Sequence, residues 1–202
     1  MADYTQTQLT LLAQQQIVHP ANVIGTPVTV ATGLQGIAYV WLGNYETTAN
    51  ATAPSIFIQA SPDASGNTFV TLAELLGSTT ASEAENLSDA TGEPVGETVM
   101  TVASTTNLVV GDLILITDAL GGVAENEFHQ IVAVVANTSV TIMDGLAYGK
   151  AQNDTIYDQA LTWAVPIDLS GIQRLRACVV HQAATGSNLV VKALFEYASD
   201  IE

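Results

Sequence analysis

Basic residues are almost absent from this sequence. Of its 202 residues, four are Lys or Arg and 20 are Asp or Glu, which gives a formal net charge of -16. All four cations lie at or after position 150, namely Lys150, Arg174, Arg176 and Lys192. Nucleic acids and anionic lipid surfaces are bound through clustered cations. We therefore expect neither nucleic acid nor a membrane as a partner.

Cysteine and long apolar runs are also scarce. The single cysteine, Cys178, has no partner for an intramolecular disulfide, and we expect it to be a small buried side chain. No apolar run approaches the ~20 residues that a membrane helix needs. The first residues lack the basic start and apolar stretch of a secretory signal. These features predict a soluble protein that is not exported by that route.

Charged residues make up only 12% of the chain, whereas apolar residues reach 48%. A typical globular domain has about 25% charged residues, so ions can cover little of this surface. The length is sufficient to bury a core without metal or disulfide support. We expect much of the surface to meet other protein.

Short alternating runs, separated by turn residues, dominate what is present. In residues 35–45 apolar side chains occupy both alternating sets, so both faces of that strand are predicted to be buried. Trp41 and Trp163 both fall in such strands and are predicted to pack in the core. The pattern favours an all-β fold, an antiparallel β-sandwich that is jelly-roll-like.

The chain divides into three predicted parts. Residues 1–26 are polar and Gln-rich, which favours an extended N-terminal arm that orders only against a neighbour; a short helix at residues 7–16 is the alternative. Residues 97–150 contain short, turn-separated strands and predict an inserted β-barrel-like module. The β-sandwich is predicted to combine residues 27–95 with residues 160–202. The polar segments 77–96 and 149–159 are predicted to be linkers.

Few residues offer catalytic chemistry. His19, His129 and His181 are not spaced as metal ligands, and no serine lies in a Gly-x-Ser-x-Gly motif. Packing or surface placement is therefore predicted for each histidine. Clefts of glycosidases are usually lined with aromatic side chains, and only 6% of this chain is aromatic. We predict that the protein is not an enzyme and has no catalytic residue.

Two acidic groups could hold a hard cation such as calcium through several oxygens. One combines Asp118, Glu125 and Glu127. The other lies in the first predicted linker and consists of Glu83, Glu85, Asp89 and Glu93. No Asp-x-Asp-x-Asp-Gly loop is present, so a solvated acidic surface is the alternative. No other cofactor is expected.

Arg174 and Arg176 are half of the cations and alternate onto one face of a predicted strand. In so acidic a chain we expect both to meet carboxylates. The pair lies within the chain in one interpretation. In the other, it forms across a subunit or capsid interface, where bidentate contacts between Arg and carboxylate fix the register.

Two segments resemble a known family. Residues 56–72 (IFIQASPDASGNTFVTL) and 167–176 (IDLSGIQRLR) look like the β-sandwich of tailed-bacteriophage virion accessory proteins. Residues 109–118 (VVGDLILITD) and 126–146 are similar to β-modules that recur in phage structural proteins. The resemblance covers about residues 25–200. Its motifs encode strands and turns, so no functional residue is carried over.

The resemblance implies a structural virion protein, made in the host cytoplasm and placed on the phage head surface. We expect a capsid decoration, or cement, protein that forms a homo-oligomer, with a trimer preferred, and binds the major capsid protein. The alternative is a tail, neck or fibre component whose inserted module binds carbohydrate.

Overall fold

Strands account for nearly all of the regular structure. The computed structural model describes residues 4–18, 20–30, 35–65, 68–118, 123–182 and 188–200, and its regular elements there are fifteen β-strands and one 3-10 turn at Val123–Glu125. The all-β prediction is confirmed. No helix in these residues is long and apolar enough to cross a membrane. The strands are β1 (Tyr4–Ile17), β2 (Ala21–Ile24), β3 (Val28–Thr29), β4 (Gln35–Asn44), β5 (Ser55–Ser61), β6 (Val70–Leu76), β7 (Ala84–Asn86), β8 (Val99–Thr101), β9 (Leu113–Ile116), β10 (Glu127–Val135), β11 (Ser139–Ile142), β12 (Thr155–Tyr157), β13 (Leu161–Asp168), β14 (Arg174–His181) and β15 (Leu189–Asp200).

Two antiparallel sheets form a sandwich. The first sheet has the order β1-β15-β4-β13, and the second has the order β2-β14-β5-β6, with β3 also paired to β14. If these eight main strands alone are counted in chain order, the sheets read 1-8-3-6 and 2-7-4-5. This is the strand order of a jelly roll, in which two Greek keys close on each other.

The sandwich core forms where the alternating apolar sets of the two sheets meet. Along β4, Ala38, Val40 and Leu42 point inward and are fully or almost fully buried. Phe195 of β15 is also fully buried and belongs to the same core. The other set of β4 faces outward, and Ile37 is 38% exposed. The prediction that both faces of this strand are buried is therefore wrong for the outer face.

The N-terminal segment is part of the sandwich of its own chain. β1 pairs with β15 from Tyr4 to Ile17, and Leu11, Leu12 and Ile17 are buried in the core. The expectation of an arm that orders only against a neighbour is therefore wrong, as is the helical alternative. The register shifts twice between Thr10 and Gln15, which breaks the strict alternation that would mark a strand in the sequence.

The inserted module has its own sheet and its own core. Six strands lie in the order β7-β12-β9-β10-β11-β8. Their inward side chains form a second buried cluster that includes Met100, Ile114, Ile116 and Ile142. The module lies between β6 and β13 in the chain, that is, between the fifth and sixth main strands of the jelly roll.

Both predicted linkers contribute strands to this module. β7 lies in the segment 77–96 and β12 in the segment 149–159, and the two strands pair with each other. Glu93 and Lys150 form a further antiparallel bridge. Strands of three residues are too short to show an alternating pattern, so the sequence indicated only polar chain there. The two segments that connect the sandwich to the module therefore pair with each other through strands β7 and β12.

A small apolar junction fixes the module against the first sheet. Leu115 of β9 and Val190 of β15 are fully buried there, together with Ala160. A Cβ atom on Gly43 would lie 2.9 Å from the Leu115 Cδ2 atom. Glycine at this position therefore allows the module to pack directly on the backbone of β4. Toward the other end of β4, Ile37 on the same outer face is 38% exposed.

Candidate functional site

The histidines do not form a catalytic arrangement in the described part of the chain. His181 is fully buried at the end of β14, and His129 is buried on β10. His19 lies outside the described residues. His129 contacts a carboxylate, so it belongs to a polar cluster in the module.

The proposed calcium ligands Asp118, Glu125 and Glu127 make different contacts and do not form one group of ligands. Among the described residues, no three His, Cys, Asp or Glu side chains come together as a metal site would require. The backbone N–H of Asp118 donates to Asn126 Oδ1, and the carbonyl oxygen of Glu125 accepts a hydrogen bond from Lys150 Nζ. Both carboxylate oxygens of Glu127 already accept two donors each, which come from His129, Ala147, Tyr148 and Lys150. Calcium binding stays a prediction.

Glu127 is the centre of a buried ionic cluster. One carboxylate oxygen contacts His129 Nε2 at 3.0 Å and accepts from the backbone N–H of Ala147 at 2.7 Å. The other accepts from Lys150 Nζ at 3.1 Å and from the backbone N–H of Tyr148 at 3.0 Å. The Lys150 side chain is fully buried. The cluster therefore ties the loop at 147–150 to strand β10.

These contacts outweigh the cost of burying the Glu127 carboxylate. Burial alone would raise its pKa, but the hydrogen bonds from His129, Ala147 and Tyr148 and the charge of Lys150 lower that pKa from 4.5 to about 2. A carboxyl group whose pKa is lower in the folded state stabilises the fold above its unfolded pKa, and the stabilisation is lost as the pH falls through the folded pKa.

Acid should therefore destabilise the protein partly through Glu127. We expect a loss of up to roughly 3 kcal/mol in the free energy of unfolding as the pH falls from about 4.5 to about 2. Urea unfolding at a series of pH values measures it. Glu127→Gln cannot titrate, so its profile should be flatter over this window. Equal slopes for the two proteins would contradict this assignment.

The acidic stretch of the first predicted linker does not gather around one point. Glu93 is buried, and its Oε1 atom accepts a hydrogen bond from the Thr101 backbone N–H at 2.6 Å. Burial raises the pKa of this carboxyl group. Asp89 instead caps its own turn through Thr91. Glu93 thus serves the module's packing.

The two arginines lie on one face of β14, as predicted, and contact polar groups of their own chain. Arg174 donates to the carbonyl oxygens of Ser65 at 3.3 Å and Pro27 at 3.4 Å. Arg176 donates through Nε to Gln59 Oε1 at 2.9 Å. Among the described residues, neither has a carboxylate within 4.0 Å. Hydrogen bonds from Ser65 lower the pKa of Asp63, and the charge of Arg174 lowers it further, so Arg174 acts on a carboxylate of its own chain from beyond ion-pair distance. Pairing across an interface stays a proposal.

Arg176 lies in an apolar surface on the outside of the second sheet. Its guanidinium carbon lies 3.8 Å from the centroid of the Phe69 ring. Ile24 and Leu76 on this side are 65% and 59% exposed. We call this surface the Arg176 face and define it by Ile24, Phe57, Leu76, Arg176 and Val180, which the strand register places on one side of the sheet.

The two tryptophans differ. Trp163 packs against the sandwich core, as predicted. Trp41 faces outward and lines a cleft between the first sheet and the module, so its predicted core position is wrong. Lys192 and Tyr148 line the same cleft. Sequence reasoning missed both residues, although the scarcity of lysine in so acidic a chain was a signal for Lys192.

Comparisons with known proteins are weak. No protein-family model and no curated protein matches the chain. It is similar to a structure of infectious bursal disease virus, Gt strain, at 10% identity and a TM-score of 0.26, and to the VP2 subviral particle of that virus at 9% identity and a TM-score of 0.25. These matches cover 98% of this chain and 42% of each viral chain. The chain therefore spans about two fifths of those proteins. The fold that the strand order defines is a jelly roll with an inserted β-module.

Proposed function

We propose that this chain is a non-enzymatic structural protein of a virion, most specifically a decoration protein of a phage head. In this proposal it forms a homo-oligomer, a trimer by preference, and binds the major capsid protein. The observation that carries the proposal is the Arg176 face, where a prearranged cation shares one side of the sheet with the exposed Ile24 and Leu76 and with the polar side chain of Glu74. A fold alone does not determine function, whereas an exposed surface of this kind can bind a partner.

The Arg176 face has the features of a protein-binding surface. Gln59 and the Phe69 ring hold the guanidinium in place, so little side-chain entropy is lost on binding. Those contacts use Nε and one side of the guanidinium plane. A partner carboxylate at the Nη atoms would form the bidentate pair that fixes register. Exposed apolar surface around an arginine is typical of an interface centre.

Charge favours this face over the rest of the surface as the site of self-association. The net charge of -16 makes copies of the chain repel each other over most of their surface. Arg176 lies in a region where apolar contact and a cation oppose that repulsion. Linkage then stabilises a shell in proportion to the occupancy of the bound protein.

Substitution of this face should reduce assembly. We expect Ile24→Asp with Leu76→Asp to lower the fraction of oligomer at micromolar concentration at least about tenfold, because two buried carboxylates would be unpaired. We expect Arg176→Gln to weaken binding to empty heads by about tenfold. Native mass spectrometry and co-sedimentation measure the two quantities.

Val109→Ser is the matched control. Val109 is 61% exposed but belongs to the module, away from the Arg176 face, so this change should leave both quantities unaltered. A wild-type chain that stays monomeric and does not bind empty heads would refute the proposal. Sixfold or twelvefold assembly would instead favour the alternative of a neck or tail component.

A further inference from the structure

The cleft beside the module is a second recognition surface, on the opposite side of the sandwich from the Arg176 face. Its floor comes from the outer face of the first sheet, with Gln14, Trp41 and Lys192. Its wall comes from the module, including His129 and Tyr148. The volume is about 370 Å³, near the lower end of the range for small-ligand sites, which commonly lie between domains.

Two aromatic rings are held in place at this cleft. Trp41 stacks on Tyr39 with 6.1 Å between the ring centroids. Tyr148 is 44% exposed, and its ring lies 5.7 Å from Lys150 Nζ. The Glu127 cluster fixes the Tyr148 backbone. Aromatic rings that are fixed and partly exposed offer flat surfaces for the C–H face of a sugar ring.

Lys192 supplies a cation that has no carboxylate partner among the described residues. Its Nζ atom lies 5.5 Å from the centroid of the Trp41 ring. No carboxylate of the described residues lies within 4.0 Å of it, although the chain has 20 Asp and Glu residues. Lys150, in contrast, is used internally by Glu127. A ligand carboxylate would provide the missing partner.

The remaining lining provides hydrogen-bonding groups on a fixed frame. Gln14 Nε2 donates to the carbonyl oxygen of Asn126, which links β1 to the module at the base of the cleft. His129 is fixed by its contact with Glu127. The Glu127 carboxylate is balanced by Lys150, so this acidic residue does not oppose an anion. The lining thus combines aromatic rings with polar groups, and a sugar needs both, for its C–H faces and for its hydroxyl groups.

We propose that the cleft binds a carboxylated pyranose, with the sugar ring against Trp41 and Tyr148 and its carboxylate against Lys192. The site is built jointly by the sandwich and the module, whereas the sequence suggested carbohydrate binding by the module alone. The proposal does not depend on capsid binding or on the oligomeric state. It gives the protein a ligand specificity separate from assembly through the Arg176 face.

Glucuronic acid and glucose test it, because they differ only in the oxidation state of C6. We expect saturable binding of glucuronic acid, at least about tenfold tighter than that of glucose. Titration calorimetry and saturation-transfer NMR on the full chain measure this. Galacturonic acid and N-acetylneuraminic acid extend the panel of acids. The proposal is wrong if none of the three acids binds, or if glucose binds as tightly as glucuronic acid.

Two variants assign the contacts. Lys192→Gln should remove the preference for the acid, and Tyr148→Ala should weaken both acid and neutral sugars by about fivefold. Both residues are at least partly exposed, so the fold should persist, and urea unfolding checks it. Leu72→Ser on the second sheet is the control and should leave binding unchanged. Unaltered acid preference in Lys192→Gln would overturn the assignment.

Discussion

Glu127→Gln should lower the free energy of unfolding by about 3–5 kcal/mol, the range for removal of one partner from a buried ion pair. The Glu127 carboxylate accepts four hydrogen bonds, two on each oxygen. Glutamine has one acceptor oxygen, so its NH2 group would face donors, and Lys150 would be left buried without a counter-charge. Urea unfolding at pH 7 measures the loss.

Two further variants distinguish the effect of the Glu127 charge from the effect of changing any side chain near it. Glu125→Gln changes a side chain two residues away, where the polar contact described for Glu125 is made by its backbone carbonyl, and should cost far less. Glu127→Gln combined with Lys150→Met removes both charges and should recover part of the stability. A loss below about 1 kcal/mol in Glu127→Gln would show that the cluster does not stabilise the module.

Leu115→Ala should cost about 2–5 kcal/mol, because a fully buried leucine would leave a cavity at the junction of module and sandwich. Along β9, Ile114 and Ile116 point into the module core, whereas Leu115 points to β4 and β15. The cost therefore measures the coupling of two folded units. Chemical unfolding followed by tyrosine and tryptophan fluorescence records it.

Leu113→Ala is the matched control for that experiment. Leu113 lies on the same strand and the same side, but it is only partly buried, so its truncation should cost much less than that of Leu115. If the two variants lose equally little, the module is tethered only by its connections. The cleft that both units line would then have no fixed wall.

Strands with a regular side-chain pattern can be predicted because that pattern is set by neighbouring residues in the sequence. The strand predicted at residues 35–45 is found as β4, Gln35–Asn44, since its apolar run is visible in the sequence. β1 was missed because its two register shifts place Leu11 and Leu12 together in the core, which breaks the period of two. β7 and β12 are stabilised mainly by their partners.

The sites were less predictable because they combine distant residues. Glu127 was noticed as an acidic residue, but its partner Lys150 lies 23 positions away and reaches it only through the loop that follows β11. Trp41 lies in a strand whose two faces are both apolar, so the sequence does not show which face points into the core. The structure shows that Trp41 lies on the outer face, in the cleft beside the module. The surroundings of Glu127 and Trp41 are made by residues far away in the sequence, so neighbouring residues do not predict them.

The positions of the four cations also determine how trypsin can act on the native chain. Lys150 is buried in an isolated β-bridge with Glu93. Arg174 and Arg176 lie in β14, where both pair with β5 and Arg174 also pairs with β3. Lys192 lies in β15 between β1 and β4. A protease needs an extended, detached segment. The bonds after Arg174, Arg176 and Lys192 therefore become accessible only when a sheet opens, and the bond after Lys150 becomes accessible only when its bridge to Glu93 opens. Limited tryptic digestion after the two arginines and Lys192 would therefore report the opening of whole sheets rather than the motion of surface loops.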